Sequence, residues 1–112
     1  MRILVVEDDA ASALIVKRAL KKKGIRVSVA GNGQDAIVAL KGSRFEALIT
    51  DWMMPGMDGM ELIRRIRNGP DPHLPIVVVT ALVSQNARIH ARKVGADAVL
   101  PKPFSPRDLY DT

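Results

Sequence analysis

The segment Ile3-Leu-Val-Val-Glu-Asp-Asp9 decides the fold, because a continuous apolar run ends abruptly in three acids. A strand that is apolar at every position is covered on both faces, which is typical of a parallel sheet. Four more short apolar runs follow along the chain: Val27–Val29, Ala47–Ile49, Ile76–Val79 and Ala98–Leu100. The sequence therefore predicts five buried strands.

Segments with helical spacing separate these runs. Each of the four carries a single apolar stripe followed by a glycine that predicts the helix end: Gly24, Gly42, Gly69 and Gly95. Ser84 is the predicted N-cap of the fourth helix. Strands that alternate with helices predict right-handed βαβ units in an open α/β sheet.

The C-terminal residues predict a fifth helix, with Ser105 as N-cap, Pro106 at the first position and Asp108 completing a capping box. From Pro106 to Thr112 this helix has at most seven residues, so it is truncated and we expect the natural protein to continue. A chain of 112 residues predicts one domain, residues 1–112.

The composition excludes several classes of protein. There is no cysteine, which rules out a disulfide scaffold, a thiolate zinc site and a cysteine nucleophile. The apolar run at the N-terminus is far shorter than the ~20 residues of a membrane span. We therefore predict a cytoplasmic protein that does not enter the membrane.

The chain has a formal net charge of +5, and its densest basic run is Lys21-Lys22-Lys23. A basic surplus raises the question of nucleic-acid binding. Aromatic residues make up only 4% of the chain, which leaves few rings on which bases could stack. We interpret the lysines as the solvated end of a helix and expect this fragment not to bind nucleic acid directly.

Polar residues follow the predicted strands, at the end of a doubly wound sheet where ligands bind. They are Glu7, Asp8 and Asp9, then Asp51, Thr80 and Lys102. Each has a simpler explanation alone: helix caps for Asp8 and Asp9, a turn for Asp51, a buried strand threonine and a surface lysine. Together, with one of the acids after the first strand set aside as a helix cap, they predict a site with three carboxylates, a hydroxyl and an ammonium group.

Clustered carboxylates repel one another unless a cation neutralises them. Oxygen ligands without cysteine, and with His73 and His90 far from the acids in sequence, favour Mg²⁺ over zinc. A carboxylate beside Mg²⁺ can attack phosphorus and form an aspartyl phosphate. Lys102 and the Thr80 hydroxyl would then stabilise the transferring phosphoryl group.

These residues resemble the receiver domain of bacterial two-component response regulators over the whole chain. The resemblance rests on Ile3–Asp9, Asp51-Trp-Met-Met-Pro-Gly-Met-Asp-Gly59, Pro75–Ala81, Gly95-Ala-Asp97 and Lys102-Pro-Phe104, in family order and spacing. It implies a flavodoxin-like, doubly wound, five-stranded parallel sheet of order 2-1-3-4-5 within three α/β/α layers. It also implies that the domain is not an enzyme acting on external substrates.

The resemblance assigns roles to individual residues. Asp51 would be the phosphoacceptor, Asp8 a direct Mg²⁺ ligand and Glu7 a second acid acting largely through water. Met53 would offer its backbone carbonyl to the metal, Thr80 would be the switch hydroxyl and Lys102 the cation that pairs with the phosphoryl group. A cis bond before Pro103 is also implied, and Asp9 is interpreted as a helix-start residue.

Partners follow from the same resemblance: a sensor histidine kinase or phosphotransfer protein, an output domain in the natural chain, and a second copy in a homodimer. One departure is Val99, which stands where the family commonly has an aromatic switch residue. The region that runs from the fourth predicted strand into the fourth helix, with Thr80, would then carry the switch.

Two alternatives stay open. The first is a Mg²⁺-dependent phosphatase, although Met53 stands where such an enzyme needs a general acid. The second is a phosphorylation-independent module that binds protein or nucleic acid through its basic surface. Four methionines near Asp51 are interpreted as loop and core packing rather than a metal site, and Trp52 as a rim residue.

Overall fold

The computed structural model describes residues 1–52, 57–69, 71–80 and 85–101. Five strands form a single sheet: β1 (Arg2–Val6), β2 (Arg26–Ala30), β3 (Ala47–Asp51), β4 (Ile76–Thr80) and β5 (Ala98–Pro101). Each contains its predicted apolar run and extends it by one or two residues. Four helices alternate with the strands: α1 (Ala10–Lys21), α2 (Gly33–Gly42), α3 (Gly59–Arg67) and α4 (Gln85–Val94).

The sheet is parallel throughout, with strand order β2-β1-β3-β4-β5. This confirms the predicted doubly wound sheet of order 2-1-3-4-5. Pro101 lies at the end of β5, an edge strand, where the missing proline N–H is tolerated. The predicted fifth helix, Ser84 and the bond before Pro103 lie outside the described residues.

Two apolar cores cover the two faces of the sheet, because alternate side chains of a strand point to opposite faces. On β1, Leu4 and Val6 belong to the core that packs against α2, α3 and α4. Ile3 and Val5 belong to the other core, which contains Leu20 of α1. The three-layer α/β/α arrangement is thereby confirmed.

Polar side chains begin the first three helices. Asp9 caps α1, Asn32 caps α2 and Asp58 caps α3, each accepting a hydrogen bond from a backbone N–H of the first turn. Gly24 and Gly95 follow α1 and α4 with φ of 80° and 119°, a region that favours glycine, as the predicted helix ends require. Gly42 differs, since it is the last residue of α2 and Ser43 is the C-cap.

Arg67, the last residue of α3, ties together the segments that enter β4 and β5. Its guanidinium donates to the carbonyls of Pro72 at 2.9 Å, Leu74 at 2.7 Å and Gly95 at 2.6 Å. It also pairs with Asp97 at 3.1 Å. The Asp97 carboxylate in turn accepts from Ile76 N–H at 2.7 Å. We call Arg67, its three carbonyl acceptors and Asp97 the Arg67 clamp. It lies at the amino end of the sheet.

Within the described part of the chain, no helix is long and apolar enough to cross a membrane.

Candidate functional site

Three carboxylates meet at the carboxyl end of the sheet. Glu7 and Asp8 follow β1, and Asp51 ends β3, its neighbour in the sheet. One ligand oxygen from each lies within 4.8 Å of the others. Glu7 is buried, Asp51 is half-buried and Asp8 is exposed, so the group opens to solvent on one side. The structure thus brings together three of the acids that the sequence singled out.

The chain around Glu7 is fixed by hydrogen bonds. Its backbone N–H donates to the Ala30 carbonyl at 3.0 Å, and its Oε1 accepts from Asp9 N–H at 3.1 Å. The Asp9 carboxylate accepts from Ala11 N–H at 3.2 Å and from the Ser12 hydroxyl at 2.6 Å. Asp9 is therefore the N-cap of α1, as interpreted from the sequence, while Glu7 is one of the three converging acids.

Backbone contacts hold the end of β3 in place. Trp52 N–H donates to the Val79 carbonyl at 3.2 Å, and the Trp52 carbonyl accepts from Gly59 N–H at 2.9 Å. A Cβ at Gly59 would lie only 2.7 Å from the Asp51 carbonyl oxygen. Only glycine lets the start of α3 approach the acid so closely.

Met57 packs into a second glycine contact beside the site. It is 7% exposed and belongs to the core that faces α2 and α3. A Cβ at Gly33 would lie 2.7 Å from Met57 Sδ and 2.9 Å from its Cβ and Cγ. The interpretation of this methionine as core packing is supported. The pairing with Gly33 was not predicted, because nothing in the local sequence of either residue signals the other.

Trp52 contacts helix α4, and sequence reasoning missed this contact as well. The indole ring meets the imidazole of His90 edge-on, with ring centroids 5.9 Å apart and an interplanar angle of 70°. His90 is exposed on α4, and Trp52 is half-buried. His90 is distant from the acids in sequence, yet its ring contacts Trp52, the residue that follows Asp51. It is not part of the acid group.

The remaining predicted residues are placed only in part. Thr80 ends β4, beside the strand that carries Asp51, but its side chain lies outside the described residues. Met53 and Lys102 lie outside them entirely. Val99 is 8% exposed and lies beside Val78 of β4, so a valine of the core occupies the position where the family commonly has an aromatic residue.

The donor set of the acid group consists of oxygens alone. Within the described ranges, the potential ligands that converge here are three carboxylates, with no histidine among them. Three nearby negative charges repel one another, and a bound cation would offset that repulsion. Hard oxygen donors, one of them open to water, fit Mg²⁺, which keeps several of its water ligands.

Fold and site together define a class: an open parallel α/β domain with a group of three acids at the carboxyl end of its strands. The chain belongs to the response regulator receiver domain family, which matches residues 3–112.

Relatives of known name agree with this assignment. Response regulator MprA of Mycobacterium avium is 42% identical over 109 residues, which cover 97% of this chain and 47% of the relative. MprA of Mycobacterium tuberculosis is 41% identical over 109 residues, which again cover 97% of this chain and 47% of the relative. The chain therefore spans about half the length of these curated relatives.

Solved structures show the same fold. The receiver domain of the Francisella response regulator 1452 superposes with a TM-score of 0.90 at 32% identity, covering 96% of this chain and 88% of the other. Chemotaxis protein CheY4 of Vibrio cholerae gives 0.92 at 30% identity, covering 98% and 92%. The chain is thus a two-component signalling domain.

Proposed function

We propose that the chain is a phosphoacceptor switch in which Asp51 receives a phosphoryl group from a histidine kinase or phosphotransfer protein. The observation that carries this proposal is the convergence of Glu7, Asp8 and Asp51 within 4.8 Å at the carboxyl end of a receiver-family sheet. Asp51 is half-buried and therefore reachable by a phosphodonor. We propose Mg²⁺ as the cation that this group binds.

In the proposed transfer, a carboxylate oxygen of Asp51 attacks the phosphorus of a phosphohistidine. An O–P bond forms and the N–P bond breaks, so the electron pair of that bond returns to the imidazole nitrogen. Bound Mg²⁺ would neutralise the acids and the charge on the phosphoryl oxygens. Asp8 and Glu7 would hold it, Glu7 from a position fixed by the Asp9 amide.

Three further roles come from the family pattern and belong to the same proposal. The Met53 carbonyl would complete the metal site, Lys102 would pair with the phosphoryl group, and Thr80 would be the switch hydroxyl. The position of Thr80 at the end of β4, next to β3, supports its role. The partners we propose are a kinase, an output domain in the natural chain and a second copy of the chain.

Intact mass after exposure to a small acyl phosphate tests the proposal. We expect one Mg²⁺-dependent phosphoryl adduct on the wild-type chain and none on Asp51→Asn or after chelation. Asp71→Asn is the matched control, because Asp71 is an exposed acid that precedes β4 at the amino end of the sheet. An unlabelled but folded wild-type chain, or equal labelling of Asp51→Asn, would contradict the proposal and favour the binding module.

A further inference from the structure

Met57 occupies a gap on α2 that exists only because residue 33 is a glycine. Three atoms of Met57 lie within 2.9 Å of the position a Gly33 Cβ would take, and they include Met57 Cβ and Cγ as well as the flexible Sδ. Rotation of the methionine end could relieve only part of such a contact. We call this gap and the side chain in it the Met57 seat.

One side of the Met57 seat is connected to Glu7. Gly33 is the first residue of α2, directly after the Asn32 cap that accepts from Asp35 N–H at 2.8 Å. The strand before this turn, β2, ends at Ala30, whose carbonyl accepts from Glu7 N–H at 3.0 Å. The start of α2 and the backbone of Glu7 are therefore both attached to the end of β2.

The other side of the Met57 seat is connected to Asp51. Met57 directly precedes Asp58, the N-cap of α3, whose carboxylate accepts from Glu61 N–H at 3.0 Å. The next residue, Gly59, donates to the Trp52 carbonyl and packs against the Asp51 carbonyl. The first residue of α3 thus transmits the position of Met57 to the backbone of the acceptor.

We infer that Met57 is a positioning residue of the acid site: seated against Gly33, it fixes Asp51 relative to Glu7. Glu7 follows β1 and Asp51 ends β3, and the last paired residues of these two strands are Val6 and Thr50, so neither acid is itself paired with the other strand. The seat adds a side-chain link between the segments beyond those ends. This inference deepens the proposed function, on which its consequence for phosphorylation rests, while its geometric content is independent of it.

Gly33→Ala tests the Met57 seat directly, because the added methyl group would meet Met57 without straining the backbone of residue 33. Gly33 lies in a helix and is absent from the residues with positive φ, so its backbone suits alanine. Gly31→Ala and Gly42→Ala are matched controls, because a Cβ at either position has no atom within 4 Å. They lie just before α2 and at its last residue.

Two readouts test the inference. The first is the Mg²⁺ dissociation constant, followed by the fluorescence of Trp52. Loss of support behind metal ligands commonly costs 10-fold or more in affinity, so we expect Gly33→Ala to raise the constant about 10-fold and the control glycines to leave it unchanged. The second needs no metal: the amide chemical shifts of Trp52 and Gly59, which we expect to move only in Gly33→Ala.

A compensating variant separates positioning from general damage. Met57→Ala removes two of the three atoms that a Gly33 Cβ would meet, Cγ and Sδ, and keeps only Cβ at 2.9 Å. The contact is then partly relieved, so Gly33→Ala/Met57→Ala should bind Mg²⁺ more tightly than Gly33→Ala alone. Ile76→Val, a trimmed core residue at the amino end of β4, controls for lost stability and should bind Mg²⁺ like the wild-type chain.

Wild-type Mg²⁺ affinity and unshifted Trp52 and Gly59 amides in Gly33→Ala would overturn the inference. A double variant that binds Mg²⁺ no more tightly than Gly33→Ala would overturn it as well. If Gly33→Ala does not fold, Met57→Ala alone decides, since loss of its seat must also weaken Mg²⁺ binding and move the two amides. A wild-type chain that binds no Mg²⁺ or forms no phosphoryl adduct refutes the proposed function instead, and the metal-free amide shifts still decide the role of Met57.

Discussion

Arg67→Ala should destabilise the chain far more than an ordinary arginine substitution on a helix surface. The Arg67 side chain is 21% exposed and donates to three backbone carbonyls on two segments, the one that enters β4 and the one that enters β5. Hydrogen bonds from a charged donor contribute ~1.5–3 kcal/mol each when isolated, but bonds to one group are not additive. The Asp97 pair adds little, because Asp97 is 59% exposed and solvent screens it.

We therefore expect Arg67→Ala to lower the free energy of unfolding by about 2–4 kcal/mol, which lowers Tm on the order of 10 °C. Arg65→Ala is the matched control on the same helix. Arg65 forms an exposed pair with Glu61 at 3.1 Å, so its loss should cost no more than about 0.5 kcal/mol. Urea unfolding followed by circular dichroism measures both values.

Arg67→Lys refines the expectation. A lysine keeps the positive charge near Asp97, but one ammonium group cannot replace a planar guanidinium that donates to carbonyls on two segments at once. If hydrogen bonding dominates, Arg67→Lys should lower the free energy of unfolding by most of the amount that Arg67→Ala does. A clamp that works by charge alone would leave Arg67→Lys near wild type. Equal losses in Arg67→Ala and Arg65→Ala would refute the reasoning altogether.

Three further expectations concern other parts of the chain. His90→Ala should shift the emission of Trp52 to the red, because the half-buried indole loses the ring that covers it. Val99→Tyr should lower the free energy of unfolding by about 1–3 kcal/mol in urea, since the buried position is too small for a ring. The pKa of Glu46, measured by carbon NMR, should lie below its ordinary value because Arg2 N–H donates to the carboxylate. The small stabilisation that follows is fully present above the ordinary pKa of the carboxyl group and is lost as the pH falls through its lowered pKa.

The sheet could be predicted from sequence because its strands are signalled locally. A continuous apolar run such as Ile76–Val79 is a strong strand signal, and acids directly after strands β1 and β3 must meet when those strands are parallel neighbours. Convergence of Glu7, Asp8 and Asp51 thus followed from topology. The N-cap role of Asp9 followed from its position before a helical stripe.

Contacts between segments distant in sequence could not be predicted in this way. The Met57 seat joins α2 to the residue before the α3 cap, and the ring of His90 reaches Trp52 from α4. The Arg67 clamp joins α3 to the entrances of two strands. Each depends on how helices pack over the sheet, which residue periodicity does not specify for individual side chains.

The Arg67 clamp lies at the amino end of the strands, and the acid group lies at the carboxyl end. The stabilisation expected of the clamp and the chemistry proposed for Asp51 therefore belong to opposite ends of the same sheet. Stability added at the amino end could offset the destabilising cost of substitutions made near the acids, because most substitutions cost stability. For protein engineers, the amino end is the place to strengthen the domain before its specificity is altered.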